Sequence, residues 1–194
     1  MKNLMIAVAL CAVASTPAVA QDAGEANARD GFRVEARGTY ETPTVSSVVE
    51  DDDVYKLGSA MAFGGEIGFD IAAGSNVVVG PYAQYEVSSV EACDEGFCIS
   101  TTDYIEAGLH IGYAVGQSGQ LYGKIGYASL GFETSGEGLD STDNGSGVAF
   151  ALGYEHSFGQ NFYGRIEGGY ADVGTVYDLN WQRRHFGIAL GTRF

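Results

Sequence analysis

The chain has 194 residues, with 25 Asp and Glu against 10 Lys and Arg and a formal net charge of −15. That balance excludes nucleic acid as a partner, because phosphate binding needs a basic stripe. The length suits one domain, and no stretch reaches the roughly 18–20 consecutive apolar residues of a membrane helix.

Residues 1–20 read as a secretory signal. Lys2 supplies the positive start, 4–13 is an apolar run too short to span a bilayer, and Ala18-Val19-Ala20 is a small-residue cleavage site. The mature domain is therefore expected to cover 21–194. Cys11 follows the bulky Leu10 where a lipidation site wants a small residue, so it is read as an apolar residue of the signal.

From there the chain repeats one pattern. Segments of about ten residues alternate large apolar with small or charged side chains, and ten residues of tilted strand cross a bilayer. In 31–41, Phe32, Val34, Ala36, Gly38 and Tyr40 share one face, and Arg33, Glu35, Arg37, Thr39 and Glu41 the other. In 61–71, Met61, Phe63, Ile67, Phe69 and Ile71 oppose Glu66 and Asp70. In 77–87, Val77, Val79, Ala83, Tyr85 and Val87 oppose Tyr82, Gln84 and Glu86, with Pro81 marking a bulge or local break. In 104–115, Ile105, Ala107, Leu109, Ile111, Tyr113 and Val115 oppose Tyr104, Glu106 and His110.

A fifth segment begins at Leu121 and sets Leu121, Ile125 and Tyr127 against Tyr122 and Lys124. Its far end changes parity at Leu130 and Phe132, which predicts a bulge or an end above the membrane. A sixth sets Val148, Phe150, Leu152 and Tyr154 against Glu155, and a seventh sets Phe162, Ile166 and Tyr170 against Tyr163, Arg165 and Glu167. The last sets Phe186, Ile188, Leu190, Thr192 and Phe194 against His185 and Arg193.

Within these segments every charge falls opposite the large apolar side chains. Asp103, Glu133 and Arg184, the exceptions by parity, lie at segment ends. An Arg or Lys on a lipid face costs about 2–4 kcal/mol at the bilayer midplane, so the sorting is what hydrocarbon around the outside would impose. The sequence thus predicts an all-β fold: a transmembrane antiparallel up-and-down β-barrel of about eight strands. Arg33, Glu35, Arg37, Glu66, Asp70, Glu86, Glu106, His110, Lys124, Glu155, Arg165, Glu167 and Arg193 are expected to form an ion-pair network in its lumen, since buried charges must be paired.

Connections alternate between short (72–76, 116–120, 158–161) and long (42–59, 88–103, 133–147, 171–183). Short periplasmic turns and long extracellular loops are the asymmetry of such barrels, which puts both termini at the periplasmic side. Tyr40, Tyr85, Tyr113, Tyr127, Tyr154, Tyr170, Phe162 and Phe194 are candidates for interfacial girdles. Cys93 and Cys98, in an oxidising compartment, are expected to close a local disulfide, a metal site there lacking a nearby His.

Residues 50–53 form a compact carboxylate run. Asp51, Asp52 and Asp53 are weak candidates for divalent cations, which want oxygen ligands. The run 140–145 resembles a calcium loop whose closing Glu is replaced by Ala151, and solvated acidic loops are the plainer reading. No metal site and no cofactor is expected. His110 and His185 point inward, and His156 and Ser157 point opposite ways, so no Ser–His pair supports catalysis.

The signal, the alternating strands and the closing run from Phe186 to Phe194 resemble the OmpA-like small outer-membrane barrels, also called porin-family β-barrel proteins. In that family a terminal aromatic residue with apolar residues at alternate positions before it is read by the barrel-assembly machinery. Phe194, Leu190, Ile188 and Phe186 match this pattern, and Thr192 departs from it. The resemblance implies a barrel alone in the outer membrane of a Gram-negative bacterium, in contact with membrane lipid and lipopolysaccharide; divalent cations at the acidic loops are suggested by the carboxylate runs alone. The resemblance implies no single activity, since this architecture hosts several; the role expected of this chain is structural or surface interaction in the envelope, with a narrow low-conductance porin for small solutes, or loop-mediated adhesion or ligand binding, as alternatives.

Overall fold

The computed structural model describes residues 29–47, 54–94, 96–136, 139–176 and 179–194. The signal segment 1–20 and the run Asp51, Asp52 and Asp53 lie outside the described residues.

Ten strands follow in chain order: β1 (Gly31–Ser47), β2 (Val54–Lys56), β3 (Ala60–Ala72), β4 (Val77–Val87), β5 (Glu91–Asp94), β6 (Phe97–Val115), β7 (Gly119–Gly136), β8 (Leu139–Phe158), β9 (Phe162–Val176) and β10 (Leu179–Arg193). Eight of them pair antiparallel with their neighbours in sequence, and β10 returns to pair with β1 from Arg33↔Arg193 to Ser47↔Leu179. That last ladder closes the ring, so no backbone edge of the ring is left for lipid to face. The short β2 and β5 fold back on β1 and β6 at one end of the ring.

The barrel is inverted relative to a water-soluble protein. Leu109 is 50% exposed, Ile188 62% and Leu190 71%, whereas Arg33, Asp70 and Glu155 are fully buried. Lys, Glu, Arg and Asp are almost never fully buried unless paired, and a continuous belt of exposed Phe, Ile, Leu and Val in water would aggregate. Hydrocarbon outside and ions inside satisfies both constraints.

The inner face is crowded, and glycines opposite the largest rings make the room. A Cβ at Gly191 would lie 2.3 Å from the Tyr163 ring, and one at Gly153 would lie 2.4 Å from the Tyr122 ring. These are the close approaches for which a strand gives up a side chain.

The register separates two aromatic belts. Tyr40 pairs with Met61 and Phe186, and Tyr85, Tyr127 and Tyr170 lie on the same half of the ring, toward the long connections. Tyr113, Tyr154, Phe162 and Phe194 cluster toward the short turns.

The structure refines several expectations. The long connections are mostly strand: β6, β7 and β8 run 19, 18 and 20 residues, far past the roughly ten that cross a bilayer. Above the membrane no lipid sorts the two faces, so pairing continues without the alternation that marks it in sequence. The calcium-loop reading of 140–145 fails for the same reason, because these residues are strand β8 paired with β7.

Pro81 marks a local break in the β3–β4 ladder and not a bulge. The β3–β4 register is the same on both sides of it, with only the pairs between Gly68↔Tyr82 and Ile71↔Val79 missing, and its β6 side pairs with Leu109. Leu130 and Phe132 do not mark a bulge in the β7–β8 ladder either, which is continuous from Gly119 to Gly136. A register shift does lie at this level in the β6–β7 ladder, between Thr101↔Phe132 and Tyr104↔Leu130, with the extra residue on β6. Leu130 and Phe132 face inward because the lumen itself turns apolar at this height.

Candidate functional site

The lumen is the candidate site, and it is built in layers. At the turn end, Arg29 lies just before β1 and is 2% exposed. Its guanidinium donates to the carbonyls of Gly116, Gln117 and Gly119 at 3.1, 3.0 and 2.9 Å, which ties the start of the barrel to the β6–β7 turn. Next come Arg193, bridging Asp70 at 3.1 Å and Glu155 at 3.0 Å, and His110, 3.1 Å from Asp70.

The middle layer centres on Glu66. Lys124 lies 2.8 Å from its carboxylate, Arg37 3.4 Å and Arg165 3.5 Å, and Arg33 forms the shortest contact with it. Arg37 and Lys124 are shared with Glu167 at 2.6 and 3.0 Å, and Arg165 with Glu35 at 3.3 Å and Glu155 at 2.7 Å. Four strands on different sides of the ring thereby meet at one carboxylate. Strand alternation aims these residues inward, and closure of the ring brings them together.

Toward the loop end, Arg183 bridges Glu41 and Glu86, each at 2.5 Å, and Arg37 reaches Glu86 at 3.1 Å. Glu106 is held differently. It accepts from the hydroxyls of Tyr82 and Tyr104, and among the described residues no cation bridges it. Each of those rings in turn faces a cation: Lys124 Nζ sits 4.7 Å from the Tyr82 centroid and the Arg183 guanidinium 3.9 Å from that of Tyr104. Above this layer the lumen is capped by an apolar cluster of Tyr104, Leu130, Phe132, Val173 and Trp181.

All thirteen residues expected in the lumen are buried there, namely Arg33, Glu35, Arg37, Glu66, Asp70, Glu86, Glu106, His110, Lys124, Glu155, Arg165, Glu167 and Arg193. The structure adds Glu41, Arg183 and Arg29, and the tyrosines that hydrogen-bond or stack on the charges. Glu41 already lay on the charged face of the first segment. Arg183 and Arg29 lie outside the segments whose alternation is visible. The buried set has eight carboxylates against seven Lys and Arg.

Cys93 and Cys98 sit directly opposite in the β5–β6 hairpin and are joined by a disulfide. Phe186, Ile188, Leu190 and Phe194 all face outward on and just after β10. His156 is exposed between Tyr154 and Phe158, whose rings flank it, and its Nδ1 lies 3.3 Å from the Tyr154 hydroxyl. Ser157 is half-buried on the opposite face.

No helix among the described residues is long and apolar enough to cross a membrane. Crossing by strands is the known solution in the solved structures that share this fold. Neisserial surface protein A aligns with a TM-score of 0.58 at 16% identity, covering 84% of this chain and 97% of its own. Ail, the attachment invasion locus protein of Yersinia pestis, aligns at 0.54 and 13%, covering 84% and 99%. OprG of Pseudomonas aeruginosa aligns at 0.54 and 13%, covering 85% and 96%. At these identities the likeness is one of fold. Among curated proteins none matches the sequence. The outer membrane protein beta-barrel domain family matches residues 6–194, and the chain belongs to that family as an integral β-barrel protein of the Gram-negative outer membrane.

Proposed function

We propose that the barrel is a closed, rigid anchor that serves the envelope and presents its loop-end hairpins for surface contact, without passing solutes and without catalysis. The observation that carries this reading is the hub at Glu66. The side chains of Arg33, Glu35, Glu66, Lys124 and Arg165 leave no surface exposed, so the midsection of the lumen is filled by ions that neutralise one another. An eight-stranded ring is just wide enough for side chains to fill. The test is planar-bilayer recording of the purified barrel. The closed reading expects no sustained unitary current, and a reproducible one would overturn it.

One observation favours a second reading, a narrow cation-preferring pore. Glu106 is held by two hydroxyls and, among the described residues, by no bridging cation, so the lumen carries a carboxylate that a passing cation would meet. If current is seen and is lost or changes selectivity in Glu106→Gln or Lys124→Gln, the pore reading replaces the closed one.

The partners follow from the surfaces. Lipid and lipopolysaccharide surround the apolar belt, and the barrel-assembly machinery reads Phe186, Ile188, Leu190 and Phe194 on the last strand. Divalent cations bridge acidic loops to lipopolysaccharide phosphates, with Asp51, Asp52 and Asp53 the residues to neutralise in a test. The solved complex of Ail holds a heparin analogue, sucrose octasulfate. Here Glu91, Asp94, Glu133 and Asp140 are exposed at the loop end, a field that repels polyanions and favours cationic or uncharged partners.

A further inference from the structure

The lumen changes character at its loop end. Above the ion-pair layers lies a cavity of about 350 Å³ walled by Phe97, Ile99, Phe132, Val176, Leu179 and Trp181. Among the described residues its lining carries no charged side chain, and the polar groups on it are the hydroxyls of Thr134 and Ser141. Trp181 and Phe132 form the floor, with ring centroids 4.1 Å apart. The indole N–H is already committed to the Val176 carbonyl at 3.2 Å, so the ring offers the cavity an apolar surface. Phe97, at the rim, is 44% exposed.

This is an unusual place for apolar surface. It faces the inside of the ring at the end where the strands have left the membrane, so neither lipid nor the ionic plug accounts for it. Its volume lies at the lower end of small-molecule sites, roughly 300–1,000 Å³, and a cavity of roughly 150 Å³ is known to take benzene. The exposed carboxylates around the mouth, Glu91, Asp94, Glu133 and Asp140, disfavour an anionic ligand. Leu130, Val173 and Tyr104 belong to the same apolar cluster as Phe132 and Trp181, and the Arg183 guanidinium stacks 3.9 Å from the Tyr104 ring centroid.

We infer that the loop-end vestibule is a binding site for an uncharged apolar small molecule of about one or two rings, or the equivalent alkane. The ligand enters from outside and rests on the floor of Trp181 and Phe132, so its capture is independent of whether the lumen carries current.

Trp181 is the sole tryptophan of the chain, which makes it a built-in reporter. The full barrel is reconstituted in nanodiscs of unbrominated phosphatidylcholine and titrated with trans-1,2-dibromocyclohexane, an uncharged quencher, and in parallel with 2,3-dibromosuccinate. The expected result is saturable quenching by the first and none by the second over the same range. Thr134→Leu, which fills the cavity from β7, and Leu179→Asp, which puts a charge in it from β10, should each weaken the saturable phase by about tenfold or more. Heat-modifiable gel mobility checks that each variant is a closed barrel. Should Leu179→Asp fail to fold, Thr134→Leu and the wild-type saturation curve decide. Quenching that rises linearly, or saturates identically in the folded variants, overturns the assignment. So does strong quenching in nanodiscs of dibrominated phosphatidylcholine with no probe added, because the occupant would then be a lipid chain.

Discussion

Glu66 shows what a buried charge can do when its neighbours are arranged around it. Alone in a ring surrounded by hydrocarbon it would be prohibitive, but four cations from β1, β7 and β9 converge on it. Removing one member of such a set leaves the others uncompensated, at a cost of about 3–5 kcal/mol for a broken buried pair. Glu66→Ala should lower the unfolding free energy by about that much, read as a lower urea midpoint for loss of the heat-modifiable band. Glu66→Gln, which keeps the hydrogen-bonding shape, should lose less. The glycines opposite the large rings make a second prediction. Gly191→Val puts a side chain into the space of the Tyr163 ring, and overpacking of this kind costs about 1–3 kcal/mol, measured the same way.

At the scale of a strand, the position of a residue along it decides its worth. Leu109 on β6 lies at mid-height on the lipid face, opposite the level of His110 and Lys124. Leu109→Arg should cost about 2–4 kcal/mol, and Val115→Arg, at the turn end of the same strand, about 0–1 kcal/mol. Equal costs for the two would contradict the placement. The β5–β6 hairpin stands at the loop end, so replacing Cys93 and Cys98 by Ser should leave the urea midpoint of the barrel unchanged while the hairpin becomes more sensitive to protease. The same height dependence explains what could be read from the sequence. Arg33, Glu35 and Arg37 announce themselves because Val34 and Ala36 stand between them and Phe32 and Tyr40 continue the apolar face on either side. Arg183 does not, because its outward neighbours, Gln182 and Arg184, are polar and lie above the lipid. Arg29 precedes the first strand and finds its partners in a turn almost ninety residues away, a contact that only ring closure creates. Leu130 and Phe132 look out of phase in sequence because lipid outside and ions inside set the alternation only at membrane height, whereas the loop end has apolar groups inside.

At the scale of the whole molecule one arrangement governs: hydrocarbon around the ring and an ionic plug along its axis. Conductance and ligand capture are consequences that can fail separately. The direct measurement is collisional relaxation of nitroxides placed singly at Leu109, Ile188 and Ala151, in a Cys93→Ser, Cys98→Ser background reconstituted in bilayers. Leu109 and Ile188 are half or more exposed on the outer face, whereas Ala151 is buried on the inner one. The arrangement predicts high oxygen and low chelated-nickel accessibility at Leu109 and Ile188, and low accessibility to both at Ala151. Nickel accessibility at Leu109, or an oxygen-accessible Ala151 beside an oxygen-inaccessible Leu109, would contradict it.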